Sequence, residues 1–210
     1  MNHMNMKLIV SLLIITSGLV FLTGCVDDPR KEDVPELITK ATLTFTPVGG
    51  GTAVVVSATD PDGEGVQDIK PDGAMILNKS TTYILSITLI NELADPTAAE
   101  YDITAEVEEE GDEHQLFFEW TGSVFSSPIL SGNIFDTSNP SKPLSIIKYI
   151  DFDENNRPVG LETEWRTELN MTTGRFRLIL KHQPEGSKNA TSNSETGETD
   201  VDLTFDLQIQ

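Results

Sequence analysis

Residues Asp151 to Glu162 set oxygen-bearing side chains at the spacing by which a loop wraps a hard cation. Asp151, Asp153, Asn155 and Glu162 stand at positions one, three, five and twelve of the frame. Carboxylates, an amide oxygen, a backbone carbonyl and a closing glutamate in that order suit Ca²⁺. Asn156 stands where such a frame carries glycine, Pro158 occupies position eight, and the flanks read as strands rather than helices. The frame is therefore not an EF-hand, and its Asp and Asn residues equally suit a hairpin turn. A second acidic loop repeats the one-three-five spacing with Asp60, Asp62 and Glu64, followed by Gly65 at position six, but Pro71 stands where the bidentate glutamate belongs. Closing it around Ca²⁺ needs a ligand from elsewhere, and Asp60-Pro-Asp-Gly is also a good turn.

The third constellation is a pair of histidines. His114 and His182 each end an apolar strand face and each is followed by Gln. On facing or neighbouring strands, their imidazoles with Glu110 or Glu113 supply the nitrogen and oxygen donors that Zn²⁺ or Cu²⁺ take. The alternative is a histidine that finishes the core edge with one ring nitrogen bonded to backbone. No catalytic residues are assigned: the chain has no Gly-x-Ser-x-Gly elbow, no His-Glu-x-x-His and no Gly-rich phosphate cradle. Carboxylates abound and a pair of them can serve glycoside hydrolysis. Trp120 and Trp165, the aromatic platforms such a cleft would want, fit strand positions at least as well, so an enzyme is not expected.

The elements that must carry these residues follow a period of two. Thr39 to Pro47 puts Ala41, Leu43 and Phe45 on one face and Thr42, Thr44 and Thr46 on the other, the mark of a strand with one dry side. Gly49-Gly50-Gly51 turns it into Thr52–Thr59, forming a hairpin. Thr82–Asn91, His114–Trp120 and Arg175–His182 alternate likewise, and Leu144–Phe152 pairs with Val159–Leu169 across Asn155-Asn156. Asp102–Asp112 fits one short acidic helix with Ile103 and Val107 on a face, although Ile103, Ala105 and Val107 also alternate. Gln183–Glu198 reads as a mobile polar loop. In the last strand Val201, Leu203, Phe205, Leu207 and Ile209 point in, while Asp200, Asp202, Thr204 and Asp206 point out. Eight or nine short strands and at most one short helix predict an all-β fold, an antiparallel immunoglobulin-like β-sandwich, with a small barrel as the alternative.

The address is written at the N-terminus. Lys7 precedes an apolar run from Leu8 to Phe21, too short for a spanning helix and of signal-peptide length. It closes on Leu22-Thr23-Gly24-Cys25, which resembles the lipobox of bacterial lipoproteins. That resemblance implies lipidation of Cys25, the one cysteine of the chain, and loss of residues 1–24. Acyl chains contributing about 0.8 kcal/mol per buried methylene would make it a membrane partner. Residues 25–36 hold the anchored cysteine and an acidic, proline-bearing tether, and residues 37–210 form one domain. Asp27 and Asp28 resemble signals that send lipoproteins to the outer membrane or cell surface. The chain carries a net charge of −20, which disfavours nucleic acid as a partner, because that binding relies on Lys and Arg displacing counterions.

Four motifs in order, Glu113-His114-Gln115-Leu-Phe-Phe118, the Asp151-x-Asp153-x-Asn155-Asn156-x-Pro158-x-Gly160-Leu161 turn, Leu180-Lys-His182-Gln-Pro184 and Gly197-Glu-Thr-Asp200-Val-Asp-Leu-Thr-Phe205, resemble a family of small acidic lipoproteins of Bacteroidota-type bacteria. Some members are labelled as type 1 periplasmic-binding-fold superfamily; the period of two here sets a sandwich as the expected fold. Asn156 departs from the glycine of its relatives. The resemblance implies a non-enzymatic accessory module beside a TonB-dependent outer-membrane receptor, serving uptake of a nutrient or metal. The alternatives are a structural or adhesion protein of the envelope and a carbohydrate-active enzyme.

Overall fold

The computed structural model describes residues 36–63, 69–127, 147–184 and 186–210. Cys25, most of the tether and Glu64 lie outside them. The compact unit that holds the described residues runs from Asp33 to Gln210.

Alternation sets the first sheet. β1 (Lys40–Pro47) buries Ala41, Leu43 and Phe45, and β2 (Val54–Thr59) returns antiparallel to it with Leu43 opposite Val56. β3 (Lys70–Pro71) edges β2. On its other side β1 pairs with β5 (Thr82–Ile90), whose Tyr83, Leu85, Ile87 and Leu89 share the dry face. β9 (Glu162–Thr167) extends this sheet and carries two short strands, β7 (Phe125–Ser127) and β8 (Lys148–Tyr149). The second sheet runs in the order β4 (Met75–Leu77), β11 (Glu198–Ile209), β10 (Thr172–His182), β6 (His114–Thr121).

The all-β expectation holds, with two sheets rather than a barrel. It needs one refinement, because β4 and β11 run parallel, Leu207 lying opposite Met75. Alternation reports which face a residue takes, not which strand it meets, so this pairing had no signature. The ambiguous acidic segment is a helix, α1 (Ile103–Glu109), capped where the Asp102 carboxylate accepts the N–H of Ala105. Ile103 and Val107, one turn apart, are its buried stripe. Among the described residues no helix is long and apolar enough to cross a membrane.

The sheets meet through an aromatic layer centred on Trp165. Its ring lies 5.6 Å from Phe118, 5.3 Å from Trp120, 4.8 Å from Phe125 and 5.0 Å from Phe176, and its indole N–H donates to Thr163 at 2.8 Å. Phe118, Trp120 and Phe176 belong to the second sheet and Trp165 to the first, so these edge-on contacts clamp the layers together. Tyr149 adds a polar strut, donating its hydroxyl to the Leu116 carbonyl at 2.9 Å.

Trp165→Ala should cost about 3–5 kcal/mol in urea unfolding, the range for emptying a large aromatic site. Burial raises the Tyr149 phenol above its ordinary value. At alkaline pH the unfolded chain loses that proton while the folded chain keeps it, so stability should fall as pH rises past about 10. Unfolding midpoints measured from pH 8 to 11 should fall less steeply in Tyr149→Phe.

Candidate functional site

One end of the sandwich gathers the chain's unusual polar side chains. The turn that ends α1 brings the Glu110 carbonyl within reach of the N–H of Glu113 at 2.8 Å and of His114 at 3.1 Å. The His114 ring folds back over the same carbonyl, its Nδ1 at 3.1 Å. Facing an acceptor, Nδ1 is assigned the proton, and Nε2 is left as a bare acceptor. That nitrogen is buried and has no hydrogen-bond partner. Burial, foremost, pushes the His114 pKa down to about 4, so the ring is neutral at physiological pH.

His182 lies directly opposite His114 in the β10–β6 register. Of the two readings of these histidines, a shared metal site or a core edge with one ring nitrogen bonded to backbone, the geometry at His114 has the second. The rings are stacked 4.7 Å apart with planes 12° from parallel. A nitrogen lone pair lies in its ring plane, and two nearly parallel, offset planes do not converge on one ion. His182 turns its Nε2 to the Glu113 carboxylate instead, at 3.3 Å. His114 has other company: it, Glu110 and Glu36 each place a ligand atom within 4.8 Å of the others, the one such trio among the described residues.

Asp200 adjoins this corner and corrects an expectation. Strict alternation sends it to solvent, yet it is fully buried. Thr199 pairs with Lys181 and Val201 with Leu180, so Asp200 is the extra residue of a β-bulge, a device that re-aims a side chain. Burial, with the charge of Glu36 adding to it, pushes the Asp200 carboxyl up to about 7. The backbone N–H of Glu36 faces the Asp200 carboxyl, while the side-chain amide of buried Gln183 finds no hydrogen-bond partner.

Lys188 holds the corner from behind. The 183–198 loop, expected to be mobile, is folded through turns at Ser187, Ser192 and Thr196 and sends Lys188 into the protein. Its ammonium donates to the carbonyls of Gly111 and His114, the latter at 2.8 Å, and pairs with Asp153 at 3.1 Å. Both side chains are almost fully buried. Desolvation lowers the Lys188 pKa, and the hydrogen bond to Asp153 opposes it.

Those contacts decide how the 151–162 frame is used. Asp151 accepts the N–H groups of Gly160 and Leu161, the latter at 2.7 Å, and Asp153 accepts that of Arg157 at 2.7 Å. Asn156 takes the left-handed conformation at φ 59°, the role glycine would fill. Gly160, at φ 100°, sits where a Cβ would fall 2.9 Å from that of Leu116. Asn155 and Glu162 are exposed. Asp151, Asp153 and Glu162 do not gather as a trio of donors, and backbone N–H groups and Lys188 close the frame as a hairpin turn, one of its two readings. In the other acidic loop, buried Asp60 accepts the N–H groups of Asp62 at 3.2 Å and Gly63 at 3.0 Å. The hydrogen bond shared with the Asp62 carboxyl, foremost, and the two backbone N–H groups hold Asp60 below the usual carboxylate range; this is turn chemistry too.

Elsewhere, a notch of about 550 Å³ on the outer face of the second sheet is lined by Glu119, Arg175, Arg177 and Asp202 among others. Arg177 spans it, paired with Asp202 and, at 3.2 Å, with Glu119. Trp120 and Trp165 are core residues, so neither is a sugar platform. Comparisons with family models, curated proteins and solved structures returned no significant match.

Sequence reasoning missed Glu36, placed in the tether, Asp200, placed outside, and Lys188, placed in a polar loop. For Lys188 to be replaced by Met leaves Asp153 as a buried charge without its cation, which should cost about 3–5 kcal/mol. Pairing Lys188→Met with Asp153→Leu should cost less than the two single losses added. A double-mutant cycle by chemical denaturation reads that coupling.

Proposed function

We propose that this chain is a lipoprotein of the bacterial cell envelope, anchored in the outer membrane by acylated Cys25. Its β-sandwich acts as a non-enzymatic binding or accessory module, of the kind that stands beside a TonB-dependent receptor in nutrient or metal uptake. The observation that carries the reading is Leu22-Thr23-Gly24-Cys25 at the close of an apolar run that follows a single lysine. Two further features support it. The acidic, proline-bearing stretch after Cys25 suits a spacer between a bilayer and a folded unit. Asp151 and Asp153, the carboxylates of the cation-spaced frame, accept backbone N–H groups of a turn, which suits a structural use of that frame.

Cells expressing the chain and fed a labelled fatty acid should incorporate label into it, and the protein should fractionate with the outer membrane. Cys25→Ser should lose the label and shift to the soluble or inner-membrane fraction. An unlabelled wild-type protein, or an unchanged distribution of the variant, would show that the anchor is misread.

A further inference from the structure

We propose that Glu36, Glu110 and His114 form a binding site for a divalent first-row transition-metal ion, with Zn²⁺ as its representative. This goes beyond the envelope role and does not depend on where the chain is anchored.

The argument begins with the imidazole. A metal-binding histidine characteristically donates its second ring N–H to a backbone carbonyl or a carboxylate, which fixes the tautomer and aims the lone pair. His114 has that arrangement, its Nδ1 on the Glu110 carbonyl at 3.1 Å and its Nε2 buried with nothing to accept from. A bare buried acceptor is costly unless water or an ion satisfies it. The carboxylates of Glu110 and Glu36 are the nearby groups of matching chemistry, within 4.8 Å of a ring nitrogen and of each other. Ligands on a tetrahedral Zn²⁺ lie about 3.4 Å apart, so the trio must draw in by roughly an ångström. Glu36 and Glu110 are only half-buried and have long side chains that can make that adjustment.

One imidazole nitrogen and two carboxylate oxygens select the ion. Imidazole disfavours Ca²⁺ and Mg²⁺ and suits Zn²⁺ and its neighbours, and two carboxylates balance a divalent charge. The fixed cation beside the site, Lys188, is already neutralised by Asp153 at 3.1 Å. Stacked His182 bonds to Glu113 and serves as a wall rather than a donor. Because Glu36 precedes β1 and Glu110 ends α1, the ion would staple the root of the tether to the domain.

The test is equilibrium dialysis of the purified full chain against ZnCl₂, with thermal melting in Zn²⁺ and in EDTA. One equivalent should bind with a raised melting temperature. Glu36→Gln and Glu110→Gln, neither of which opens the core, should each weaken binding by about tenfold or more while melting like the wild type in EDTA. His114→Gln should abolish the Zn²⁺-dependent rise, and Asp27→Asn, an acidic change outside the trio, should leave binding unchanged. The proposal is overturned if the wild type binds no stoichiometric Zn²⁺, or if the Glu36 and Glu110 variants bind as tightly as the wild type, which would mark adventitious binding to an acidic surface.

Discussion

A desolvated ammonium governs this molecule. Lys188 is driven beneath the α1–β6 turn, where an unpaired charge would cost several kcal/mol, and two other parts of the chain are arranged to compensate it. The α1–β6 turn supplies the carbonyls of Gly111 and His114. The 151–160 turn supplies Asp153, held in place by the N–H of Arg157. Arg157 in turn reaches back to the Lys188 carbonyl, so the loop that delivers the cation is itself held by the turn that neutralises it. Segments far apart in sequence are thereby fixed around the start of β6, and His114 inherits its position from that closure.

Faces were legible and partners were not. Ala41, Leu43 and Phe45, or Val201 through Ile209, advertise a strand with one dry side because burial rewards every second residue. The same rule misplaced Asp200, since a single extra residue in β11 reverses parity and leaves no local trace. Lys188 sits among Ser, Asn and Gly, a composition typical of solvated loops, and its partners are two carbonyls and a carboxylate drawn from elsewhere in the chain. The 151–162 frame shows the converse failure. Its spacing suits a cation cage, but a hairpin of that size also needs acceptors for its inward N–H groups, and Asp151 and Asp153 meet that need. The sequence marks both histidines as strand ends but not which strands adjoin, and direct cross-strand register stacks the rings instead of converging them.

The aromatic layer and the polar corner divide the labour of the sandwich. Trp165 and its ring neighbours supply bulk cohesion between the sheets, and they are indifferent to charge. The corner concentrates groups that are poorly satisfied by the protein alone, among them His114 Nε2 and the amide of Gln183. The unsatisfied acceptors thus lie apart from the aromatic layer, so the corner can carry them without loosening the packing between the sheets.

The placement of β11 bears on biogenesis. Residues 198–209 form an inner strand of the second sheet, flanked by β10 on one side and, in parallel, by β4 on the other. Until that stretch has emerged, β4 has no neighbour in its sheet and β10 lacks half of its ladder. A chain made from its N-terminal side can therefore assemble the first sheet early, while the second waits for residues 198–209 to knit β4 to β10.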